Sequence, residues 1–380
     1  MLETVAPLDR LLRVAADARA SDVHLTEGQP ALMRVDGDLV TIPEFPDPLT
    51  MDWLEPALNR IMPRDRHAEF MDSGEVDLSY SVADVGRFRV NVYRQLGAIA
   101  VALRLIPSTV SSLEALGAPP IVREFALKPR GLVLVTGPTG SGKSTTLTAM
   151  VDIINSCLPA HVITVEDPVE FQHTSRTALI HQREIGSDTA SFSEALRRVL
   201  RQDPDVILVG ELRDPESIST ALSAAETGHL VLSTLHTQGA AKSINRIVDA
   251  FPSHQQDQVR SQLGDTLQGI ISQTLLPRAQ TTGRTIATEV LVNTPAVANM
   301  IREGQIAQLY SALQAGSALG MHTLDQDLRR LVEEGTISHQ VAKAYAVDPV
   351  TLDGVRARPR DLDAEAWSSN IDSWQLTRGR

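Results

Sequence analysis

The chain has 380 residues, of which 42% are hydrophobic and 22% are charged, and its formal net charge at pH 7 is -12. This length exceeds what one hydrophobic core usually serves and predicts two domains, while the acidic balance and the 4% aromatic content argue against a surface devoted to nucleic acid. Because Cys157 is its one cysteine, an intrachain disulfide and a cysteine-rich zinc site are excluded, which favours a reducing, cytoplasmic setting.

Residues 1–107 predict a small, mostly antiparallel α+β domain. Leu8 and Leu11 begin a helical spacing of apolar residues that ends before "SDVHL". The segments "ALMRV" and "DLVTI" flank Asp36-Gly37, a pair that favours a two-residue hairpin turn. "RFRVNVY" then alternates apolar and polar side chains, and "AIAVALRLI" continues as an apolar strand.

Neither a secretory signal nor a membrane span is expected from the sequence. The N-terminal segment carries charges throughout, whereas a secretory signal has a basic start followed by an unbroken apolar core. An uninterrupted apolar run of about 18 residues, the length that crosses a bilayer, does not occur.

A different pattern begins after a proline- and serine-rich connector, residues 108–130. From residue 131 the short apolar strands "LVLVT", "HVITV", "DVILVG" and "HLVLSTL" alternate with helical stretches, one of them introduced by Ser191 and Glu194 at the spacing of a capping box. This alternation is typical of a parallel sheet covered by helices. We predict an α/β core over residues 131–345, helical in its last part, followed by a charged, disordered tail, residues 346–380.

The segment "GPTGSGKST" lies between a predicted strand and a predicted helix and fits GxxxxGK[ST], the phosphate-binding loop. Its glycines let backbone N–H groups surround a β-phosphate, and the following helix directs its positive end at the same anion. Lys143 should reach the β- and γ-phosphates of ATP, and Ser144 should ligate Mg²⁺. The predicted nucleotide-binding residues are Gly137, Pro138, Thr139, Gly140, Ser141, Gly142, Lys143, Ser144 and Thr145.

Acidic residues and histidines follow or bracket three further predicted strands. They are Glu166, Asp167 and Glu170 in "EDPVEF", Glu211 in "GELRD", and His229 and His236 around "LVLSTL". In an open α/β sheet ligands bind where strands end. Hydrolysis of ATP needs a carboxylate that acts on the attacking water and an acid that holds Mg²⁺. The carboxylates alone would about as often be helix caps or solvated loop residues, and either histidine alone would more often be structural, but together these residues predict an ATPase.

These segments resemble a known family. "GPTGSGKST", "EDPVEF", "LRRVLRQDPDVILVGELRD" and "TGHLVLSTLHT" look like the Walker A, Asp, Walker B and His boxes of the type II and type IV secretion ATPases, and "SDVHL", "MRVDG" and "GRFRVN" resemble their N-terminal part. Within this family the chain is most similar to the motors that retract type IV pili. The resemblance implies a PAS-like α+β N-terminal domain joined to a RecA-like P-loop NTPase core.

The resemblance also implies roles for individual residues. Glu170 would be the general base, and Glu211 the Walker B acid that acts on Mg²⁺ directly or through water. His229 and His236 occupy the His-box positions. Arginines of the N-terminal sheet complete the nucleotide site in this family, and the matching positions are Arg87, Arg89 and Arg104. An arginine that reaches the γ-phosphate only on closure would couple domain motion to the nucleotide.

As partners, the resemblance implies six copies of the chain in a ring at the inner face of the cytoplasmic membrane, an inner-membrane pilus platform protein and an accessory retraction ATPase. The family's retraction motif AIRNLIRE corresponds to "AVANMIRE", in which Ala298 replaces an arginine. An amphipathic helix with Val297, Met300 and Ile301 on one face is still expected.

Four other functions stay open on the sequence alone. The nearest is that of an accessory retraction ATPase, which the sequence separates only weakly from a retraction motor. A pilus-assembly or type II secretion ATPase shares the nucleotide boxes, although such enzymes usually carry a longer N-terminal region and often a four-cysteine zinc element. A RecA-like nucleic-acid translocase fits poorly with the acidic charge. A scaffold that binds nucleotide without turnover fits poorly with the presence of Lys143, Glu170 and Glu211.

Overall fold

The computed structural model describes residues 6–35, 37–106, 110–280 and 283–356. By the density of its contacts the chain divides into two compact units. Unit 1 comprises residues 1–111 and 151–210, and unit 2 comprises residues 112–150 and 211–380. The domain boundaries expected from the sequence stay predictions, and residues 107–109, where the connector was expected to begin, lie outside the described residues.

Strands and helices alternate along most of the chain. The strands are β1 (Asp22–Thr26), β2 (Leu32–Val35), β3 (Asp38–Thr41), β4 (Glu75–Val82), β5 (Gly86–Gln95), β6 (Ala98–Ile106), β7 (Gly131–Thr136), β8 (His161–Glu166), β9 (Leu179–Glu184), β10 (Val206–Val209), β11 (Leu230–Leu235), β12 (Leu267–Pro277) and β13 (Arg284–Val292). The α-helices are α1 (Pro7–Asp17), α2 (Met51–Ile61), α3 (Arg64–Ser73), α4 (Leu113–Leu116), α5 (Ile121–Ala126), α6 (Lys143–Cys157), α7 (Phe192–Val199), α8 (Pro215–Glu226), α9 (Ala240–Asp249), α10 (Ser253–Thr266), α11 (Pro295–Arg302), α12 (Leu309–Ala315), α13 (Leu324–Glu333) and α14 (His339–Tyr345). Short 3-10 helices lie at Ile306–Gln308, Ser317–Leu319 and Pro349–Leu352.

The first six strands form an antiparallel sheet in unit 1, in the order β3-β2-β1-β6-β5-β4. Val35 lies opposite Asp38, as a two-residue hairpin connection requires, although Asp36 itself is outside the described residues. Along β5, Phe88 and Val90 are buried, so the polar side chains between them share the opposite face. The predicted α+β fold of this part is confirmed.

Unit 1 also contains β10, β8 and β9, which pair in parallel in that order. The loop after β8 carries the Asp-box residues, and α7 lies between β9 and β10 along the chain. The side chain of Ser191 accepts a hydrogen bond from the backbone N–H of Glu194 at the start of α7, as the capping spacing predicted.

The sheet strands of unit 2 lie in the order β13-β12-β7-β11. Strand β7 is parallel to both β11 and β12, and β13 is antiparallel to β12. Both Leu235 of β11 and Ser272 of β12 lie opposite Thr136, the last residue of β7. The carboxyl ends of β7 and β11 and the neighbouring part of β12 therefore meet at one edge, where the phosphate-binding loop begins. The predicted α/β core with parallel strands is confirmed.

The helix that matches the retraction motif is α11, whose buried residues are Val297, Ala298 and Ile301. Met300, which was expected on the apolar face, is half-buried. Helix α10 approaches so closely that a Cβ on Gly264 would lie 3.0 Å from the backbone oxygen of Ala298. The amphipathic helix is confirmed, with Ala298 completing its buried face instead of Met300.

The packed part of the chain continues beyond residue 345. Leu352 is buried in a cluster with Leu276, Leu328 and Leu331, and the carboxylate of Asp325 accepts hydrogen bonds from the backbone N–H groups of residues 347 and 348. The remainder of the predicted tail, residues 357–380, lies outside the described residues. Within the described ranges, every helix is too short or too polar to traverse a bilayer.

Candidate active site

The phosphate-binding loop connects the carboxyl end of β7 to the amino end of α6. Gly137, Gly140 and Gly142 have φ angles of +142°, +77° and +87°, in the region that favours glycine. A Cβ on Gly137 would overlap the backbone oxygen of Gln273, and a Cβ on Gly142 would lie 3.2 Å from Nε2 of the same residue. The close approach of β12 therefore requires glycine at position 137 and leaves little room at position 142.

Lys143 lies over the loop with 8% of its surface exposed. Its Nζ donates hydrogen bonds to the carbonyl oxygens of Gly137 and Pro138, each at 3.0 Å. The hydroxyl of Ser141 is buried in the same loop and has no hydrogen-bond partner among the described residues. An ammonium group, an unsatisfied hydroxyl and the positive end of α6 at one place fit an anionic polyphosphate.

Mg²⁺ is the metal that this type of loop implies. Ser144 and Thr145 lie half-buried in the first turn of α6 and offer hydroxyl oxygens. Glu211 adds a carboxylate whose side chain is 18% exposed. Oxygen donors with one or two carboxylates are the set that Mg²⁺ prefers beside substrate phosphates, so the residues present fit this ion.

Glu211 and His236 lie together beside the loop. Nε2 of His236 is 3.3 Å from Oε2 of Glu211, and its Nδ1 is 3.3 Å from Oγ1 of Thr139. The same Oε2 of Glu211 accepts a hydrogen bond of 2.7 Å from Nε of Arg213. A chain of polar contacts thus joins the Walker A loop, the Walker B acid and one His-box residue within unit 2.

Backbone hydrogen bonds to β11 hold these groups in place. The N–H of Gly137 donates to the oxygen of Leu235, and the N–H of Leu212 donates to the oxygen of Thr234. The carboxyl end of β11, which precedes His236, therefore holds two segments. They are the start of the phosphate-binding loop and the segment after Glu211.

His229 lies at the other end of β11. Its Nδ1 is 2.9 Å from the backbone oxygen of Ala224, and its own backbone oxygen accepts a hydrogen bond from the N–H of Gly131, at the start of β7. The six residues of β11 span about 20 Å at roughly 3.3 Å per residue. The structure therefore brings His236, and not His229, to the phosphate-binding loop of the same unit.

The Asp box lies in unit 1, at the end of β8. The carboxylate of Glu166 accepts hydrogen bonds from the hydroxyl of Thr164, at 2.6 Å, and from Nε2 of Gln182, at 3.3 Å. Burial raises the pKa of Glu166, against the effect of these hydrogen bonds and of one from the backbone of Glu170. The side chain of Glu170 is exposed. These contacts tie Glu166 to β8, to β9 and to the loop that carries Glu170.

Arg87 connects the N-terminal sheet to this same loop. Its Nη2 donates to Oγ of Ser79 at 2.7 Å and to Oε2 of Glu184 at 3.0 Å. The side chain of Glu184 is buried and also accepts a hydrogen bond of 3.2 Å from the N–H of Val169, the residue before Glu170. Glu184 carries no signal in the sequence, because one carboxylate in "LIHQRE" is equally typical of the solvent-facing side of an ordinary strand.

The other two predicted arginines pair with exposed or half-buried carboxylates. Nη2 of Arg89 is 4.0 Å from Oδ1 of Asp77, and Nε of Arg104 is 2.8 Å from Oδ1 of Asp22, whose pKa is lowered. Burial of Asp22 opposes this shift, and hydrogen bonds and the positive charge of Arg104 cause it. That these arginines and Glu170 meet a nucleotide held by the loop of unit 2 stays a prediction.

Most of the chain is similar to known proteins. Residues 4–348 match the family model described as "Type II/IV secretion system protein". The chain is 48% identical over 342 residues to the type IV pilus retraction ATPase PilT of Pseudomonas aeruginosa, a match that covers 90% of this chain and 98% of that protein. It is also 48% identical over 336 residues to a twitching motility protein of Neisseria gonorrhoeae, covering 86% of this chain and 89% of that protein.

The fold agrees with a solved structure as well. A crystal structure of the pilus retraction motor PilT with bound ADP superposes with a TM-score of 0.83 at 44% sequence identity. The match covers 90% of this chain and 98% of the solved one.

Proposed function

Because the chain belongs to the type II/IV secretion system protein family, we propose that it is an ATP-hydrolysing motor that retracts type IV pili. One observation carries the proposal. A phosphate-binding loop in contact with His236, and through it with Glu211, occurs in a chain that matches 98% of a pilus retraction ATPase at 48% identity. The geometry supports the hydrolysis of ATP, and the relatives support its use in retraction.

The phosphate-binding loop binds ATP in this proposal. Lys143 gives up its bonds to the carbonyl oxygens of Gly137 and Pro138 and binds the β- and γ-phosphates instead, while the N–H groups of the loop and the amino end of α6 surround the β-phosphate. Because the loop conformation is already set by its packing on β12, these donors need little reorganisation when the substrate arrives.

Bound Mg²⁺ would neutralise part of the charge that the β- and γ-phosphates carry. Ser144 would hold it through its hydroxyl, and Glu211 through its carboxylate, directly or through water. Arg213, at 2.7 Å from Glu211, fixes the orientation of that carboxylate.

Hydrolysis then requires a base, and its coupling to motion requires a group that responds to the γ-phosphate. We assign the base to Glu170, which orients and partly deprotonates the attacking water. His236 contacts both Thr139 of the loop and Glu211, so loss of the γ-phosphate can change its hydrogen-bond partners. Arg87, Arg89 and Arg104 complete the site when the N-terminal part closes over the nucleotide.

The mechanical task follows from the relatives. We propose that six copies form a ring at the inner face of the cytoplasmic membrane and that nucleotide-driven domain closure moves an inner-membrane pilus platform protein. An accessory retraction ATPase is a further proposed partner. Sedimentation of the full chain with and without nucleotide tests the ring.

The enzymatic part is tested by ATP turnover of the purified full chain with Mg²⁺. Lys143→Ala should abolish ADP binding, whereas Glu170→Gln and Glu211→Gln should keep ADP binding and lower kcat about 100-fold or more, as expected for loss of an acid–base group or a metal-holding acid. Glu55→Gln, at an exposed position of α2, is the matched control and should turn over normally. Full activity of Glu170→Gln or Glu211→Gln would remove that residue from the mechanism.

The biological part is tested by deleting the gene and imaging labelled pili. Fibres that accumulate and never shorten indicate a retraction motor, whereas an absence of fibres indicates an assembly motor. The Glu211→Gln variant, reintroduced into the deletion strain, should leave the fibres static. Stimulation of ATP turnover by single-stranded nucleic acid would favour a translocase instead.

A further inference from the structure

We propose that Gln273 is a positioning residue for the nucleotide reaction and that its side-chain amide, reaching from β12, holds the phosphate-binding loop in the shape that receives a β-phosphate. This inference rests on the proposed nucleotide function of the loop. The residue lies outside the Walker A, Asp, Walker B and His boxes.

The position of Gln273 follows from the register of the sheet. Ile271 and Ser272 of β12 lie opposite Val135 and Thr136 of β7, so the next residue of β12 lies beside the first residue of the loop. Gln273 is 1% exposed and is the largest of three consecutive polar residues between the apolar pairs of "GIISQTLL". A primary amide buried at such a position costs free energy unless its donors and acceptor are hydrogen-bonded.

Both ends of the amide bind the loop and the helix that follows it. Nε2 donates a hydrogen bond of 2.7 Å to the backbone oxygen of Ser141, and Oε1 accepts one of 3.0 Å from Oγ1 of Thr146. The orientation of the amide is fixed by these partners, because a backbone oxygen can only accept. One side chain therefore ties the middle of the loop to the first turn of α6.

The bond to Ser141 sets the direction of a phosphate donor. In a trans peptide the C=O and the following N–H point in opposite directions. Because Gln273 holds the oxygen of Ser141 toward β12, the N–H of Gly142 points away from β12. Gly142 is one of the motif glycines whose N–H groups surround a β-phosphate. The amide thus acts on phosphate binding through the loop and does not touch the nucleotide.

The test compares nucleotides that do and do not carry a β-phosphate. Binding of ADP and AMP to the full-length chain is measured by calorimetry for wild type, Gln273→Glu and Gln273→Met. The first variant keeps the shape and places a carboxylate oxygen against the oxygen of Ser141, and the second keeps the approximate volume and removes both hydrogen bonds. We expect the Kd for ADP to rise about tenfold or more and the Kd for AMP to stay within about threefold.

Controls separate this role from a general effect on folding. Gln255→Glu, at an exposed position of α10, should bind ADP as wild type does. If the Gln273 variants fold poorly, Thr146→Val removes one partner of the amide and should raise the Kd for ADP without changing that for AMP. The inference would be overturned by folded variants whose affinities for ADP and AMP are both unchanged, or are both reduced by the same factor. Failure of the wild-type chain to bind ADP would instead overturn the proposed function.

Discussion

Nε2 of His236 lies 3.3 Å from Oε2 of Glu211, while Nδ1 on the other side of the same ring lies 3.3 Å from Oγ1 of Thr139. One imidazole therefore links the Walker B acid to the phosphate-binding loop. A neutral imidazole donates through one nitrogen and accepts through the other, so any change at one contact favours a change of tautomer or partner at the other. This is the arrangement expected of a group that responds to the γ-phosphate.

The first prediction follows from this contact. His236→Ala should lower kcat for ATP about 100-fold, because the ring acts near the group that is lost, and should leave the Kd for ADP within about threefold, because the loop supplies most of the binding to the β-phosphate. Steady-state turnover and calorimetry measure the two quantities. His254→Ala, at an exposed position of α10, serves as the control. An unchanged kcat, or a loss of ADP affinity as large as the loss of kcat, would contradict this role.

The second prediction compares two glycines of the loop. A Cβ on Gly137 would overlap the backbone oxygen of Gln273, whereas a Cβ on Gly140 would have no neighbouring atom within 4 Å. At position 140 an alanine would be strained only by the backbone φ of +77°. Gly137→Ala should therefore weaken ADP binding by at least tenfold through displacement of the loop. Gly140→Ala should cost about 1 kcal/mol of backbone strain and weaken ADP binding less. Calorimetry measures the Kd for ADP of both variants. Equal losses of ADP affinity in the two variants would show that packing on β12 does not shape the loop.

The motifs of the nucleotide site could be predicted because their chemistry is local. The loop, with Gly137 and Lys143, needs only a strand before it and a helix after it. Glu211 and His236 could be expected near it because parallel strands end at a common edge. The same rule explains why His229 lies away from the loop. Of the two histidines that flank β11, only His236 follows the carboxyl end of the strand.

The residues that support the site could not be predicted in the same way. Gln273 and Glu184 act through contacts between segments distant in the sequence, namely β12 with the phosphate-binding loop and β9 with β5. Polar residues between the apolar pairs of β12 are a weak signal for Gln273, and its partners depend on which strands are neighbours. At position 298 the comparison with the family motif shows only that an alanine replaces an arginine. The structure adds that Ala298 is buried where helix α10 approaches α11.

The third prediction concerns the ion pair of Arg87 and Glu184. Removing one partner of a buried pair leaves an uncompensated charge, and the side chain of Glu184 is only 7% exposed. Arg87→Ala should therefore lower the free energy of unfolding by about 2 kcal/mol, somewhat less than for a fully buried pair because the arginine is 21% exposed. Urea unfolding followed by circular dichroism measures the change.

Arg89 provides the matched control for this prediction, since it lies on the same face of β5. Its partner Asp77 is 4.0 Å away, and both side chains are exposed, so Arg89→Ala should change the free energy of unfolding by less than about 0.5 kcal/mol. A double-mutant cycle of Arg87→Ala with Glu184→Gln should give a coupling of about 1–2 kcal/mol. Equal effects of the two arginine substitutions would show that the pair with Glu184 contributes no more than a surface contact.

Glu289 of β13 is a buried carboxyl group near the end of the His box. Its Oε1 accepts a hydrogen bond of 2.8 Å from the backbone N–H of Ala240, at the start of α9. Burial raises the pKa of Glu289, and the charge of Asp325 adds to the shift, while hydrogen bonds from Ala240 and Leu324 and the charge of Lys242 oppose it. The ionised form of this side chain is therefore less stable in the folded protein than in the unfolded chain.

The fourth prediction is the pH dependence that follows. Folding raises the pKa of Glu289 above its ordinary value of 4.5. At a pH between these two pKa values, the side chain is protonated in the folded protein and ionised in the unfolded chain. Its contribution to stability is therefore present below this pH window and is lost as pH rises through it. Glu289→Gln keeps an acceptor for the N–H of Ala240 and does not ionise. The free energy of unfolding of wild type should therefore fall relative to that of the variant as pH rises, and urea unfolding from about pH 4 to about pH 8 measures the difference. Glu55→Gln should follow the wild-type curve. Parallel curves for wild type and Glu289→Gln would mean that this carboxyl ionises as readily in the folded protein as in the unfolded chain.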